Sequence, residues 1–388
     1  MNKIYLDHAA TTPIAPEVFA AMEPYLKEYY GNPSSIYTLG QQAAQAISEA
    51  REKVANAIGA KEEEIIFTGG GSESDNTALK GAAFALKDKG RHIITSKIEH
   101  PAILSTCQQL EKYFGFDITY LDVDNEGFVD PDDVKKALRD DTILVTIMMA
   151  NNEIGTIEPI KEIARIVKER DVYFHTDAVQ AVGQIPLDVN ELGVDMLSMS
   201  SHKINGPKGV GALYVRKGVK ILPLIAGGAQ ERNRRAGTEN VAGIVGFGKA
   251  IELAAENLEE NAAYLRNLRD RLINGIENNI DDVILNGPRG EHRLPNNVNF
   301  SFRYIEGESI LLNLDMLGIA ASSGSACSSG SLDPSHVLLA IGHSHETAHG
   351  SIRFSLGKGN NEKEIDYVLE VVPGIIKKIR EMSPLYEG

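Results

Sequence analysis

Seven short apolar runs alternate with stretches of helical periodicity between residues 62 and 215. The runs are EIIFT, HIITS, FDITYLDV, TILVTIM, VYFHTDA, DMLSMS and GALYV. Strands that are apolar throughout and separated by helices are typical of a mainly parallel sheet with helices on both faces. Because ligand sites in such sheets lie beyond the carboxyl ends of the strands, the polar residues that follow each run are the first candidates for chemistry.

The chain has 388 residues, more than one ordinary hydrophobic core accommodates. We predict a large domain over residues 15–258 that carries the sheet, and a smaller α+β domain formed by residues 1–14 and 259–388. The second unit contains the runs NNVNFSF, IAAS and SIRFSL and ends in a helical stretch, EKEIDYVLEVVPGIIKKIREM. We expect the extended N-terminal strip to pack against this unit.

The charge, apolar segments and cysteines of the chain limit which binding partners and kinds of site are expected. A net charge of -15 disfavours a general role in binding nucleic acid or an anionic membrane, and it favours small-molecule partners. The sequence shows no signal-peptide pattern and no apolar segment of membrane-helix length, so we expect a cytoplasmic protein. The 2 cysteines have no CxxC spacing, which indicates neither a disulfide framework nor a cysteine-rich metal site.

The two cysteines stand in different surroundings. The stretch PAILSTCQQLEKYF has helical periodicity that places Ile103, Cys107, Leu110 and Phe114 on one apolar face, so we interpret Cys107 as a core residue. Cys327, in contrast, is the one residue of ASSGSACSSGS that is not Gly, Ala or Ser. A flexible tether for a reactive thiol and a plain Gly/Ser linker are both compatible with this composition.

Two sequence patterns resemble ligand sites, but each lacks residues that binding of the ligand would require. The segment GIVGFGK, residues 243–249, has the spacing of a phosphate-binding loop, but Ala250 replaces the Ser or Thr that binds magnesium, and no strand precedes it. His343, His345 and His349 do not share one helix face, and no carboxylate or cysteine completes a ligand set. We therefore expect neither a nucleotide nor a metal ion.

Polar segments follow the first two apolar runs. After EIIFT, Gly69, Gly70 and Gly71 allow backbone amides to approach a ligand, and Ser72 can cap the next helix. A phosphate site at a helix N-terminus and a simple helix cap are both compatible with this segment. After HIITS, His100 precedes a proline that starts a helix, a position compatible with a structural or a catalytic histidine.

Two later strand ends carry an acid and a base. Asp177 follows the apolar run VYFHT, where a carboxylate is poorly solvated unless a cation meets it. Ser200, His202 and Lys203 lie between the runs DMLSMS and GALYV. These residues and a glycine-built anion site together meet the needs of pyridoxal phosphate. The lysine amine forms a Schiff base, the aspartate keeps the pyridine nitrogen protonated, and a helix terminus binds the phosphate.

One family shares a set of motifs with this chain, in the same order: LDHAATTP, FTGGGSESDN, EHPAIL, ANNEIGT, HTDAVQAVG, SSHKINGPKGVGALYVRKG, QERNRRAGTEN, LPNNVNFSF, SSGSACSSGS and SIRFSLG. The chain closely resembles the NifS/IscS-type cysteine desulfurases of the class V aminotransferase superfamily. The resemblance covers nearly the whole sequence. It implies a fold-type-I α/β architecture with a seven-stranded sheet, pyridoxal phosphate as cofactor, and a homodimer.

The resemblance assigns catalytic roles residue by residue. It makes Lys203 the Schiff-base lysine and Asp177 the partner of the pyridine nitrogen. His100 is expected to stack on the cofactor ring and take part in proton transfer, and Gln180 to reach the cofactor's phenolic oxygen. Cys327 is expected to accept sulfur as a persulfide while L-cysteine becomes L-alanine.

The resemblance also implies how phosphate and substrate are held. The expected phosphate ligands are Ser72, Ser200, His202 and the backbone of Gly71, joined by Thr238 of the other subunit. Asn152 and Arg353 are expected to fix the substrate, Arg353 through a bidentate grip on its carboxylate. His8 departs from the family pattern, because many relatives have asparagine there, and no role is assigned to it.

The reaction needs Cys327 as a thiolate, whereas an unperturbed thiol has a pKa of about 8.5. A nearby group must therefore assist its ionisation. His336 and the substrate complex itself are the two candidates, and the sequence does not choose between them. The expected sulfur acceptor is an iron–sulfur scaffold protein or a protein of tRNA thiolation.

Other functions are open at this point. A class V aminotransferase or a selenocysteine lyase would use the same scaffold without requiring the loop cysteine. A non-catalytic delivery or scaffold subunit is a third alternative, although every expected catalytic residue is present. Arg232, Arg234 and Arg235 form a basic cluster, which we interpret either as a solvated or subunit-facing loop or as a docking surface for an acidic acceptor.

Overall fold

The structure is a computed structural model that describes residues 3–323 and 333–386. Its strands are β1 Ile4–Tyr5, β2 Ile65–Thr68, β3 His92–Ser96, β4 Asp117–Leu121, β5 Thr142–Thr146, β6 Tyr173–Asp177, β7 Met196–Ser200, β8 Gly211–Val215, β9 Val283–Leu285, β10 Asn297–Phe302, β11 Ile319–Ala320 and β12 Ser351–Ser355. Its helices are α1 Pro16–Lys27, α2 Thr38–Ala57, α3 Gly71–Leu86, α4 Pro101–Phe114, α5 Pro131–Ala137, α6 Ile160–Lys168, α7 Val189–Leu192, α8 Gln230–Asn233, α9 Val241–Glu256, α10 Leu258–Asn279, α11 Gly307–Met316, α12 His336–Ala340, α13 His345–His349 and α14 Glu362–Met382.

Strands β2 to β8 form one 7-stranded sheet in the order β2-β8-β7-β6-β5-β3-β4. Strands β3 to β7 pair in parallel, whereas β8 runs antiparallel to both of its neighbours, β2 and β7. Each of the predicted apolar runs contains one of these strands, so the mainly parallel sheet is confirmed. The carboxyl ends of the parallel strands consequently lie along one edge of the sheet.

Helices cover both faces of this sheet because its strands are apolar on both faces. Successive strand residues point to opposite sides, which divides neighbours in sequence between two cores. Ile93 and Leu144 pack beneath α3 and α4, whereas Ile94 and Val145 pack on the other face, with residues of α2, α6 and α9. Both faces are thereby removed from water, as the continuous apolar runs predicted.

The C-terminal unit has its own core. Strands β12, β10 and β9 form an antiparallel sheet, and β1 pairs in parallel with β11. Helices α10, α11 and α14 bury apolar residues against this unit, and Ile4 and Leu6 of the N-terminal strip lie in the same core. Asn257 separates α9 from α10. The domain boundaries after residues 14 and 258 stay predictions.

Helix α4 spans the stretch that the sequence predicted, and Cys107 lies within it, fully buried beside Ile103 and Leu110. Burial in this apolar core raises the pKa of the Cys107 thiol far above its usual value. The expectation that Phe114 shares the buried face is wrong, because Phe114 is 47% exposed. It ends the helix, and its ring instead contacts the edge of Phe84 at 5.1 Å between ring centroids.

The patterns set aside in the sequence have ordinary structural positions. Gly243 to Lys249 lie inside α9, which begins at Val241. Over residues 3–323 and 333–386, no group of three or more His, Cys, Asp or Glu side chains is arranged to hold a metal ion. His343 instead hydrogen-bonds through Nε2 to Asn286 Oδ1, at 2.7 Å. None of the helices described is both long and apolar enough to cross a bilayer.

Candidate active site

Asp177 is the last residue of β6, and it is buried in the protein interior, with 5% of its surface exposed. Its Oδ1 accepts a hydrogen bond of 2.9 Å from the backbone amide of Val179. Burial raises the pKa of the carboxyl group, while the nearby His100 and Lys203 act in the opposite direction. A cationic N–H brought to this carboxylate would satisfy its need for a positive partner.

Lys203 lies after the carboxyl end of β7, in a short 3-10 turn over Ser201–Lys203. Its Nζ donates to the backbone carbonyls of Ala9 and Ala10, the latter at 2.8 Å. Gln180 donates from Nε2 to the same Ala9 carbonyl at 3.0 Å. The amine of Lys203 and the amide of Gln180 therefore lie beside each other against the N-terminal strip.

His100 is the N-cap of α4, and its Nδ1 accepts a hydrogen bond of 3.1 Å from the Ala102 amide. The proton of the neutral ring is consequently on Nε2. Burial lowers the pKa of His100, with Asp177 opposing that effect and Lys203 and His336 adding to it. These mutual effects place His100, Asp177 and Lys203 in one electrostatic neighbourhood.

A cavity of about 430 Å³ lies at the N-terminus of α3. It is lined by Thr11, Gly69, Gly70, Gly71, Ser72, Glu73, Ser200, His202, Lys208 and Gly209. Helix α3 begins here without a side-chain cap, so its first amides are directed toward an incoming anion. Gly70 precedes the helix with φ 147° and ψ -178°, a conformation that is essentially restricted to glycine.

His202 contributes a neutral ring to this cavity. Burial, Lys203 and Lys208 lower its pKa to about 4. Its Nδ1 lies 3.1 Å from Thr11 Oγ1. At neutral pH the imidazole can therefore hydrogen-bond a phosphate, while Lys208 is the cation that the cavity itself provides.

The donor set and the buried acid fit pyridoxal phosphate. The cavity offers a helix N-terminus, two hydroxyl-bearing serines, an imidazole and an ammonium group, which suit a phosphate group. Asp177 offers a buried anion for a protonated pyridine, and Lys203 provides the amine. Of the cofactor residues expected within one chain, Asp177 and Gln180 lie at the end of β6, and Ser200, His202 and Lys203 lie at the end of β7. The others follow different strands of the same sheet: Gly71 and Ser72 come after β2, and His100 comes after β3.

Arg353 is fully buried on β12, with 1% of its surface exposed. Its Nη1 donates to the Asn152 carbonyl at 3.0 Å, and its Nη2 donates to Asp7 Oδ1 at 2.9 Å. Its Nε is buried and has no hydrogen-bond partner in the parts of the chain that are described. A carboxylate is the kind of acceptor that would satisfy this donor, and the Asn152 carbonyl is bonded to the same guanidinium.

Two expected site residues, Cys327 and Thr238, are not located at the site by the described part of the chain. Cys327 lies outside the described residues, between Ser323 and Asp333. Thr238 is exposed and is not among the residues that line the cavity, which is compatible with its expected role toward the other subunit. His336, considered as a helper of Cys327, lies close enough to His100 to lower its pKa and hydrogen-bonds through Nε2 to the Glu99 carbonyl at 3.0 Å.

The basic cluster is only partly available to a partner. Arg235 forms an ion pair with Glu73 at 2.9 Å. Arg234 donates to the Glu63 carbonyl at 2.5 Å, and Arg232 donates to the Glu62 carbonyl at 3.2 Å. The charge of Arg235 is therefore largely balanced within the chain, whereas Arg232 and Arg234 are paired with neutral carbonyls.

The N-terminal strip, for which the sequence predicted only packing against the C-terminal unit, also contacts four of the expected site residues. Asp7 binds Arg353, Ala9 accepts from both Lys203 and Gln180, and Thr11 binds His202. The available signal was the motif LDHAATTP, whose small and hydroxyl-bearing side chains allow close backbone approach. Most of these contacts use backbone carbonyls or join residues far apart in the sequence, which no local pattern reveals.

The chain matches the model of the aminotransferase class-V family over residues 4–368. It is 64% identical to "Cysteine desulfurase IscS" of Dictyoglomus turgidum, over 99% of this chain and 97% of that protein. Among solved structures, a NifS-like protein superposes with a TM-score of 0.91 at 41% identity and covers 97% of this chain and 100% of its own.

A second solved structure, SspA in complex with cysteine, has a TM-score of 0.81 and 39% identity, covering 92% of this chain and 99% of its own. The expected resemblance and fold class are confirmed. The chain is therefore a pyridoxal-phosphate-dependent member of the class-V aminotransferase family and belongs to its NifS/IscS-type cysteine desulfurases.

Proposed function

We propose that this protein converts L-cysteine to L-alanine and takes the sulfur onto Cys327 as a persulfide. The near-full-length similarity to relatives named as cysteine desulfurases carries the proposal. The neighbourhood of Asp177, Lys203 and His100 supports it, because these groups suit proton transfer at an amino acid's Cα.

Asp177, the cavity at α3 and Lys203 would each have a separate role in the reaction. Pyridoxal phosphate, when bound, provides an electron sink for negative charge at Cα. Asp177 would hold the positive pyridine nitrogen, and the cavity at α3 would hold the phosphate. Lys203 would move the Cα proton, since an amine lying within the site can act as an acid and as a base.

Arg353 and Asn152 would bind the substrate carboxylate. The unpartnered Nε of Arg353 supports this role, because a buried guanidinium N–H without an acceptor is costly until a ligand satisfies it. Asp7 already occupies Nη2 on the same guanidinium and would hold its plane. The carboxylate would therefore meet an arginine whose orientation is already fixed.

Sulfur transfer would follow at the substrate's side chain. The Cys327 thiolate attacks the substrate sulfur, so that a sulfur–sulfur bond forms while the carbon–sulfur bond breaks. The electron pair of the broken bond stays on Cβ, which takes up a proton and completes alanine. The thiol and the substrate thus supply every atom of the persulfide and alanine, and no external oxidant is needed.

The test compares two single-cysteine variants of the pyridoxal-loaded protein. Wild type, Cys327→Ser and Cys107→Ser are incubated with L-cysteine and a reductant, and alanine and sulfide are quantified. Equimolar products from wild type and Cys107→Ser, with none from Cys327→Ser, are the expected result. Products that persist in Cys327→Ser would contradict the persulfide step and favour an aminotransferase or a selenocysteine lyase.

A second copy of the chain is the partner that we propose for the surface around α1. Large apolar side chains are exposed there: Phe19, Leu26, Tyr30, Ile36 and Tyr37. Exposed apolar groups in such number are typical of a covered surface, and Thr238 is exposed, as a residue that serves another subunit must be. Light scattering should give a dimer mass for wild type and a smaller mass for Ile36→Asp, and a monomeric wild type would overturn this proposal.

A protein that accepts sulfur from the persulfide, such as an iron–sulfur scaffold, is the expected further partner. Arg232 and Arg234 support an acidic acceptor, because neither has a carboxylate at salt-bridge distance among the described residues. If Arg234→Glu transfers persulfide to an acidic scaffold protein as fast as wild type does, this surface is not the docking site.

We also propose a cytoplasmic location, because the reaction needs a reduced thiol at Cys327.

A further inference from the structure

The loop that carries Asn152 follows β5 and is held within the large unit by hydrogen bonds of the Asn151 side chain. The side chain of Asn151 accepts at Oδ1 from the amides of Glu153 and Ile154, at 2.8 and 3.0 Å. The same side chain donates from Nδ2 to the Ile98 carbonyl at 2.9 Å. These bonds hold the loop to its own unit, but they leave the carbonyls of Asn152 and Glu153 for other donors.

Strands of the C-terminal unit supply those donors. Asn297 and Asn299 of β10 each donate from Nδ2 to the Glu153 carbonyl, both at 3.0 Å. Because a carbonyl oxygen has two lone pairs, the two amides saturate it. Asn299 is paired in register with Arg353 of β12, which donates to the preceding carbonyl, that of Asn152. Three donors from neighbouring strands thus engage two consecutive carbonyls of the loop.

Both asparagine amides are fixed in orientation by donors on their other side. Asn297 Oδ1 accepts from Arg293 Nη1 at 3.0 Å. Asn299 Oδ1 accepts from Asn286 Nδ2 at 2.7 Å, and Asn286 Oδ1 in turn faces His343 Nε2. A flip of either amide would oppose donor to donor and acceptor to acceptor inside the protein, where unsatisfied groups are costly.

The loop backbone lies directly against β10. Gly155 has φ +78°, and a Cβ added there would come within 2.7 Å of Asn297 Oδ1. The Gly155 carbonyl also accepts from the Leu294 amide at 2.8 Å. Such close approach leaves the loop little freedom to move relative to the strand that carries Asn297 and Asn299.

We propose that Asn299, together with Asn297, is a positioning residue for the substrate's carboxylate. By saturating the Glu153 carbonyl, the two amides set the peptide next to Asn152 at a fixed distance from Arg353. Both side chains would act through the Glu153 carbonyl and not through direct contact with the substrate. The proposal rests on the proposed function in one respect, the binding of the carboxylate by Asn152 and Arg353.

Asn299→Asp tests this role with almost no change of shape. The variant keeps an oxygen toward Asn286 but replaces the donor that faces the Glu153 carbonyl with an acceptor. We expect the KM for L-cysteine to rise roughly tenfold, as for the loss of one buried hydrogen bond, while kcat and cofactor loading change less than about twofold. Asn299→Ala removes the same donor without adding an acidic group, and it serves where the aspartate variant fails to fold.

Asn296→Asp is the matched control. Asn296 is likewise buried and lies three positions away, but its Nδ2 donates to the Leu356 carbonyl at 3.4 Å and not to the loop. Thermal unfolding of all three variants measures the structural cost of each change. A second readout is the affinity for L-alanine, which carries the carboxylate but no sulfur, followed by the visible absorption of the bound cofactor.

The outcomes distinguish a failure of the positioning role of Asn299 from a failure of the proposed desulfurase function. A raised KM and weaker L-alanine binding in both Asn299 variants, with the control near wild type, would support positioning. An unchanged KM, or a rise shared by Asn296→Asp in proportion to its lost stability, would overturn it. Wild type that forms no alanine from cysteine would reject the proposed function instead, and the L-alanine titration would still decide the role of Asn299.

Discussion

Arg353 and Asp7 form an ion pair of 2.9 Å in which the arginine side chain is 1% exposed and the aspartate side chain 20% exposed. The pair joins the last strand of the C-terminal unit, β12, to the N-terminal strip that also meets Lys203. One guanidinium thus contacts the strip, the Asn152 loop and, on our proposal, the substrate. Its geometry rather than its charge alone is expected to govern carboxylate binding.

Arg353→Lys should raise the KM for L-cysteine by about 10- to 100-fold, because an ammonium group cannot donate to Asp7, Asn152 and a carboxylate in one plane. Steady-state alanine production at varied cysteine concentration measures the effect. Arg380→Lys is the control, since Arg380 is also buried but donates to the backbone carbonyls of Arg303, Asp281 and Asp282 in the C-terminal unit. Equal KM values for the two variants would contradict the role of Arg353.

Asp177→Asn should lower alanine production by about 10²-fold and weaken cofactor binding, because the pyridine nitrogen loses its anionic partner. Cofactor affinity is measured by equilibrium titration with pyridoxal phosphate. Asp195→Asn provides a matched change, since Asp195 is a partly buried carboxylate that accepts from the Phe174 amide but precedes β7, at the amino end of the strand. Comparable losses in both variants would point to general destabilisation.

Gly70→Ala should lower both stability and affinity for the cofactor's phosphate. The φ of 147° at Gly70 is the obstacle, because no atom lies within 4 Å of an added Cβ. A cost of about 1–3 kcal/mol is expected from the backbone conformation. Gly374→Ala adds the same methyl group inside α14, again without a contact within 4 Å, and should stabilise the protein by up to about 1 kcal/mol. Thermal unfolding of both variants, without and with cofactor, distinguishes the two effects.

The buried Glu99 predicts a pH dependence of stability. Burial raises its pKa from 4.5 to about 8, so the folded protein holds a proton that the unfolded chain releases between these values. The contribution of Glu99 to the free energy of unfolding is thus fully present below pH 4.5 and is lost as pH rises toward 8, by about 1.4 kcal/mol per pH unit.

Glu99→Gln should remove this slope, because a glutamine oxygen can still accept from Ser96 and the Met148 amide as Glu99 Oε1 does. Urea unfolding at a series of pH values between 4.5 and 8 measures it. Glu111→Gln, on the exposed side of α4, should leave the wild-type slope intact. A variant Glu99→Gln with the full wild-type slope would assign the pH dependence to other buried groups.

Local pattern was sufficient for much of the fold, whereas most roles of the site residues come from the family resemblance and stay predictions. Helix α4 begins at Pro101 and ends at Phe114 as its periodicity predicted, and Asp177 and Lys203 come together because both follow strands of one parallel sheet. Phe114 was placed wrongly, since periodicity indicates a face but not where the covering layer ends. The contacts of Ala9 with Lys203 and of Asn299 with Glu153 depend on backbone atoms and distant chain segments, which carry no signature in sequence spacing.

The pairing of the N-terminal strip with β11 and β12 has a consequence for how the molecule is made. Asp7 is synthesised 346 residues before its partner Arg353, so their ion pair cannot form until β12 has been made. The Ala9 and Ala10 carbonyls that Lys203 contacts belong to the same strip, two and three residues after Asp7. Assembly of this part of the active site is therefore expected to wait for the synthesis of β12, and substrate binding to depend on that late step.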